Sequence, residues 1–97
     1  MDPERLSDIQ IADVVKSTAG RDKGKYFYVI DVDAVYLSLV NGKDRTLEKP
    51  KRKKLRHIEK VLRSETRVAA KIQTGDKVLN SELRRDLAFL ARENASK

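Results

Sequence analysis

Cysteine and tryptophan are missing from the chain, and histidine occurs once, at His57. Without cysteine there is no disulfide scaffold, thiolate zinc site, iron–sulfur cluster or cysteine nucleophile. A histidine-based metal centre or a Ser-His-Asp triad would rest on that one imidazole, with no second histidine to help it. No apolar run approaches the roughly 18 residues that a membrane helix needs. The opening residues Met1-Asp2-Pro3-Glu4-Arg5 lack the apolar stretch of a signal peptide, so a soluble, cytoplasmic chain is expected. Only 5% of the residues are aromatic. A chain of 97 residues fits one domain. Such a chain removes only about 60–65% of its unfolded surface from water, which argues against a deep, dry active-site cavity.

What is present in excess is positive charge: 22 Lys and Arg stand against 15 Asp and Glu, a net +7. The surplus is local. Residues 43–63 hold ten basic side chains (Lys43, Arg45, Lys49, Lys51, Arg52, Lys53, Lys54, Arg56, Lys60, Arg63) and three acidic ones (Asp44, Glu48, Glu59), and the rest of the chain is neutral. A charge run is often only a solvated loop, and a nuclear-targeting tract has a similar composition. A surplus confined to one fifth of an otherwise balanced chain points instead to a polyanionic partner.

The pattern along the chain suggests a short lead-in over residues 1–10, then a β-rich region over 11–58 and an extension over 59–97. Residues 12–17 read as a first strand, and residues 18–24 as a loop bracketed by Gly20 and Gly24. Residues 25–32, Lys-Tyr-Phe-Tyr-Val-Ile-Asp-Val, combine aromatic and β-branched side chains and predict the strongest strand. Residues 35–40 alternate as another strand. The following Asn41-Gly42 predicts a type I′ hairpin turn into a strand over 43–48. Pro50 interrupts any ladder, and residues 55–58 predict a closing strand. Four or five short strands in so short a stretch predict a small curved sheet or barrel. Beyond residue 58 the period moves toward 3.6. One helix is expected over 65–73, with Val68, Ala69 and Ile72 on one face, and a second over about 81–94, capped by Asn80 or Ser81. Its stripe of Leu83, Leu87 and Leu90 is expected to pack on the open side of the barrel or to meet a second copy, and the position of Phe89 off that stripe is left open. The oligomeric state is likewise left open.

The segment Asp13-Val14-Val15-Lys16-Ser17-Thr18-Ala19-Gly20-Arg21-Asp22-Lys23-Gly24-Lys25-Tyr26-Phe27 resembles the KOW motif: a strand, a loop ending in a Lys-Gly-Lys-like step, and a second hydrophobic strand. With Asn41-Gly42-Lys43 and Glu48-Lys49-Pro50-Lys51-Arg52-Lys53-Lys54-Leu55-Arg56-His57, the resemblance covers about residues 10–58. It extends to small bacterial KOW-domain RNA-binding proteins akin to the fourteen-e type of large-subunit ribosomal protein. That resemblance implies an SH3-like barrel that binds RNA, commonly on or near ribosomes, in translation. A glycine-bearing turn lets the backbone approach a phosphate and donate N–H groups to it. The residues expected to bind RNA are Lys16, Gly20, Arg21, Lys23, Gly24, Lys25, Lys43, Arg45, Lys49, Lys51, Arg52, Lys53, Lys54, Arg56 and His57.

Other chemistry is set aside on the residues themselves. Residues 19–26 superficially resemble a P-loop, but Ala19 stands at the first glycine position, Tyr26 at the Mg²⁺-binding hydroxyl position, and strands flank the loop. Asp31 and Asp33 share a face of a strand, as a metal or acid–base pair does, but at a strand end before a turn their place fits turn chemistry. No enzyme activity, metal or cofactor is expected. The expected function is a module that contacts structured RNA through phosphates and shape. The alternative is a protein-interaction module docking on a transcription or translation factor. DNA binding is disfavoured because no basic recognition helix is evident, although Arg84, Arg85 and Arg92 carry charge on the last helix.

Overall fold

The structure is a computed structural model and describes residues 9–95; of the lead-in, residues 1–8 lie outside the described residues. Strands β1 (Asp13–Ser17), β2 (Tyr26–Val32), β3 (Tyr36–Val40), β4 (Lys51–Lys54) and β5 (Ile58–Arg63) form one antiparallel sheet in the order β4-β3-β2-β1-β5. In a flat sheet β4 and β5 would stand about 19 Å apart. Only the 3₁₀ turn Leu55–His57 joins them, and three residues span about 10 Å at most. The sheet therefore coils until its outer strands approach each other, giving a small barrel-like body. Helices α1 (Arg67–Thr74) and α2 (Asn80–Ala95) follow. This is the mainly β architecture with a helical extension that the strand pattern predicts.

Both faces of the sheet are covered, which explains why β2 reads as an almost unbroken apolar run. Val15, Phe27, Val29, Leu37, Leu39 and Leu55 fill the inside of the coil, with Ile9 and Ile58 packed at its margin. Val14, Tyr28 and Val40 face the other way, under Val68 and Ala69 of α1 and Leu83 and Leu87 of α2. The apolar stripe of the last helix thus lies on the outer face of the sheet, not on an open side of the barrel.

Burying Tyr28 on that face requires partners for its phenol. Its O–H donates to the Asp86 carboxylate on α2, and its oxygen lies 2.8 Å from Ser64 Oγ and 3.2 Å from Thr66 Oγ1. Thr66 donates to Asp86 over 2.8 Å and accepts the Ala69 N–H at 3.2 Å, capping α1. One hydroxyl of the sheet thereby fixes both helices. Burial first, and then the bond to Asp86, push the Tyr28 phenol up to about 12.

Three local expectations are corrected. Residues 43–48 form no strand, and Asn41-Gly42 is not a type I′ turn. That turn needs positive φ at both central residues, and only Gly42 has it, at +77°. The Asn41 side-chain oxygen accepts the N–H groups of Lys43 and Arg45, each at 3.0 Å, and so draws the backbone into a loop. Asn80, expected as a helix cap, clamps this loop instead: its Oδ1 accepts the Leu47 N–H at 2.9 Å and its Nδ2 donates to Glu48 at 2.9 Å. Glu82 takes the capping role by accepting the Leu79 N–H at 3.0 Å. Residues 55–57 are a 3₁₀ turn, and the closing strand begins only at Ile58. The basic run itself is β4, paired with β3 through Leu37↔Lys53 and Leu39↔Lys51, an edge position where lysine and arginine are well tolerated.

Two outcomes follow from these contacts. A Cβ at Gly42 would lie 2.2 Å from the Asn80 carbonyl oxygen and 3.0 Å from Leu83 Cβ. Gly42→Ala is therefore expected to lower stability by about 2–4 kcal/mol in denaturant melts, the sum of left-handed backbone strain and overpacking. Tyr28 ionises near 10.0 when unperturbed and near 12 here, so its contribution to stability is full below pH 10 and drains away as pH rises toward 12. Thermal melts of Tyr28→Phe should lack that alkaline decline.

Candidate nucleic-acid interface

The β1–β2 loop turns on Gly20 and Gly24, at φ +76° and +87°. It closes on itself: Lys23 N–H donates to the Gly20 carbonyl (3.2 Å), Gly24 N–H to Ser17 (2.8 Å) and Lys25 N–H to Asp22 (2.9 Å). The donors of Lys23, Gly24 and Lys25 are thus occupied inside the loop, while those of residues 19–22 have no backbone acceptor among the described residues.

The loop is fastened on two sides to the segments that carry the charge surplus. On one side Lys53 of β4 donates its ammonium to the Ala19 carbonyl at 2.6 Å and lies 3.4 Å from where a Cβ on Gly20 would stand. Thr18 N–H also reaches the His57 carbonyl of the 3₁₀ turn, at 2.9 Å. On the other side Arg45 pairs with Asp22 at 3.0 Å, and Lys25 pairs with Asp44 at 2.5 Å. Asp22 is buried, so its charge is tolerated only because the guanidinium meets it. Lys25 and then Asn41 hold the Asp44 carboxyl down at about 2.

The expected binding residues divide into two groups. Arg45, Lys53 and Lys25 are engaged as just described, and Arg52 both pairs with Asp33 at 3.0 Å and lies over the Tyr36 ring at 4.6 Å. Lys16 lies 6.0 Å from the Tyr26 ring centre. Elsewhere in the basic window, Lys60 and Arg63 flank buried Asp13 at 3.4 and 3.5 Å. By contrast, no ion pair or hydrogen bond engages the side chains of Arg21, Lys23, Lys43, Lys49, Lys51, Lys54 or Arg56 among the described residues. Five of these seven are exposed, and Lys51 and Lys54 are half-buried, as is His57. The two-residue alternation of β4 sends Lys51 and Lys53 to one face and Arg52 and Lys54 to the other, so the run is not one uniform stripe.

Asp33 is occupied by Arg52 while Asp31 stays exposed, and among the described residues no cluster of three or more His, Asp or Glu converges on a point. No helix among them is long and apolar enough to cross a membrane. Neither protein-family models nor curated proteins yield a match to the chain.

Engaged and unengaged cations are expected to respond differently to truncation. Arg45→Ala leaves Asp22 buried without its partner and should cost about 2–3 kcal/mol in urea melts, since the half-open site admits some water. Arg21→Ala and Lys43→Ala should stay within about 0.5 kcal/mol of the parent.

Proposed function

We propose that this protein is an RNA-binding module, ribosome-associated, that grips structured RNA through phosphates and shape. The observation that carries this reading is the glycine loop fastened between two cation-bearing segments, with seven basic side chains left unengaged on the loop and on the segments that hold it. The engaged cations set the shape of the surface, and the unengaged ones supply the charge. The resemblance of residues 10–58 to KOW-domain RNA-binding proteins supports the same reading and adds the ribosome as the setting.

The driving force is release of counterions condensed on the RNA. With about five to seven phosphates neutralised, the logarithm of affinity should fall against log salt with a slope of roughly −4 to −6. Replacing Lys51, Lys54 and Arg56 together by glutamine should flatten that slope by about 1 per residue without lowering the melting midpoint. Filter binding across a salt series measures the slope and a thermal melt the midpoint, and a slope near zero defeats the proposal.

A second reading, docking of a protein partner such as a transcription or translation factor, draws on Phe89. This residue is 48% exposed on α2, in a groove shared with Arg67, Arg85 and Arg92 and with the carboxylates of Glu82 and Asp86. Aromatic and arginine side chains are enriched at protein interfaces. Under the RNA reading, Phe89→Ala leaves the affinity for RNA unchanged.

A further inference from the structure

Beside the basic loops the molecule has a groove of about 560 Å³, lined by Lys25, Tyr26, Asn41, Lys43, Asp44 and, from α2, Arg84, Leu87, Ala88 and Ala91. That volume lies within the usual range for small-molecule sites. Its walls differ in kind. Two cations, Lys25 and Lys43, and the Asp44 carboxylate stand on the loop side, whereas the helix side adds Arg84 at one end and is otherwise apolar and shallow, formed by Leu87, Ala88 and Ala91. Arg84 is fixed by donating to the Gly42 carbonyl at 2.6 Å, and Lys25 by pairing with Asp44. The Lys43 ammonium remains exposed at the rim.

An aromatic ring completes the groove, and Tyr26 alone is placed to supply it. Phe27 and Tyr28 are fully buried, the Arg52 guanidinium lies over the Tyr36 ring, and Phe89 lines the groove on the other flank of α2. Tyr26 is half-buried, with the Lys16 ammonium 6.0 Å from its ring centre. A flat, apolar, hydrogen-bonding group attached to a phosphate matches an apolar floor, one aromatic ring and a net positive rim.

We infer that this groove receives a single unpaired nucleotide of the bound RNA, with the base against Tyr26, Ala88 and Ala91 and its phosphate toward Lys43. The inference rests on the RNA-binding reading and adds to it a preference for RNA interrupted by an unpaired base. Phosphate contacts alone do not distinguish a continuous duplex from a bulged one, whereas an occupied groove does.

The test uses three 12-base-pair RNA duplexes: one continuous, one with a single bulged adenosine, and one with an abasic residue at the bulge. Fluorescence anisotropy with the full chain should show the bulged adenosine bound about tenfold more tightly than the other two. Ala88→Met, at an exposed helical position that methionine suits, fills the groove and should abolish the preference while keeping the affinity for the continuous duplex and its salt slope. Tyr26→Leu removes the ring at similar burial and should do the same, and if it melts early, Ala88→Met still decides. Equal binding of the adenosine and abasic bulges overturns the inference and leaves the phosphate reading standing, as does a preference that survives Ala88→Met. No binding to any of the three duplexes overturns both.

Discussion

Phe27 and Tyr28 are neighbours in the chain, point to opposite sides of β2, and are both wholly removed from solvent. A strand with that pair at its centre needs cover on two sides. The coil of the sheet covers Phe27, and the two helices cover Tyr28. The chain has too few residues to build a separate second layer, so helices and loops are drawn onto the same small frame. Gly42 lets the start of α2 approach the β3–β4 loop, Asn80 holds that loop, and Arg45 within it meets Asp22 of the glycine loop. The cationic surface is thus a consequence of how the core is closed.

That chain of contacts also sorts the charges. A basic side chain opposite a buried carboxylate belongs to the scaffold, because removing it strands a charge in a poorly solvated place. Arg45 has this role toward Asp22, and Lys60 and Arg63 flank Asp13 in a similar way. Lys53 is also a scaffold residue, although it lies inside the most basic run of the sequence, since its ammonium closes the glycine loop. The cations left over lie on segments that the scaffold holds together, which is the condition for several weak phosphate contacts to act at once.

Much of the frame was legible in the sequence. The aromatic and β-branched run at β2, the alternation at β3 and the two helical stripes reflect local patterns that tertiary structure respected. The misread segments are those where local and distant interactions compete. Lys51–Lys54 has poor strand propensity yet forms β4, because pairing with β3 outweighs it at a sheet edge that tolerates charge. Asn41-Gly42 carries the hairpin signal, but the Asn41 side chain and the Asn80 clamp win the backbone of residues 43–48. The burial of Asp22 had no local signal at all: in a loop rich in glycine and lysine an aspartate reads as solvated, and its partner lies 23 positions away. Tyr28, the Ser64–Thr66 link and Asp86 come from three separate segments, so no spacing rule could have joined them.

The strand β4 has one further consequence. It is a terminal rib of the sheet, bonded to β3 along one margin only, and all four of its residues are lysine or arginine. An unpaired margin normally invites a sister molecule to zip onto it, the first event of fibril growth. Here such an approach would set lysine and arginine side chains against one another along the margin, so self-stacking is opposed by like charge.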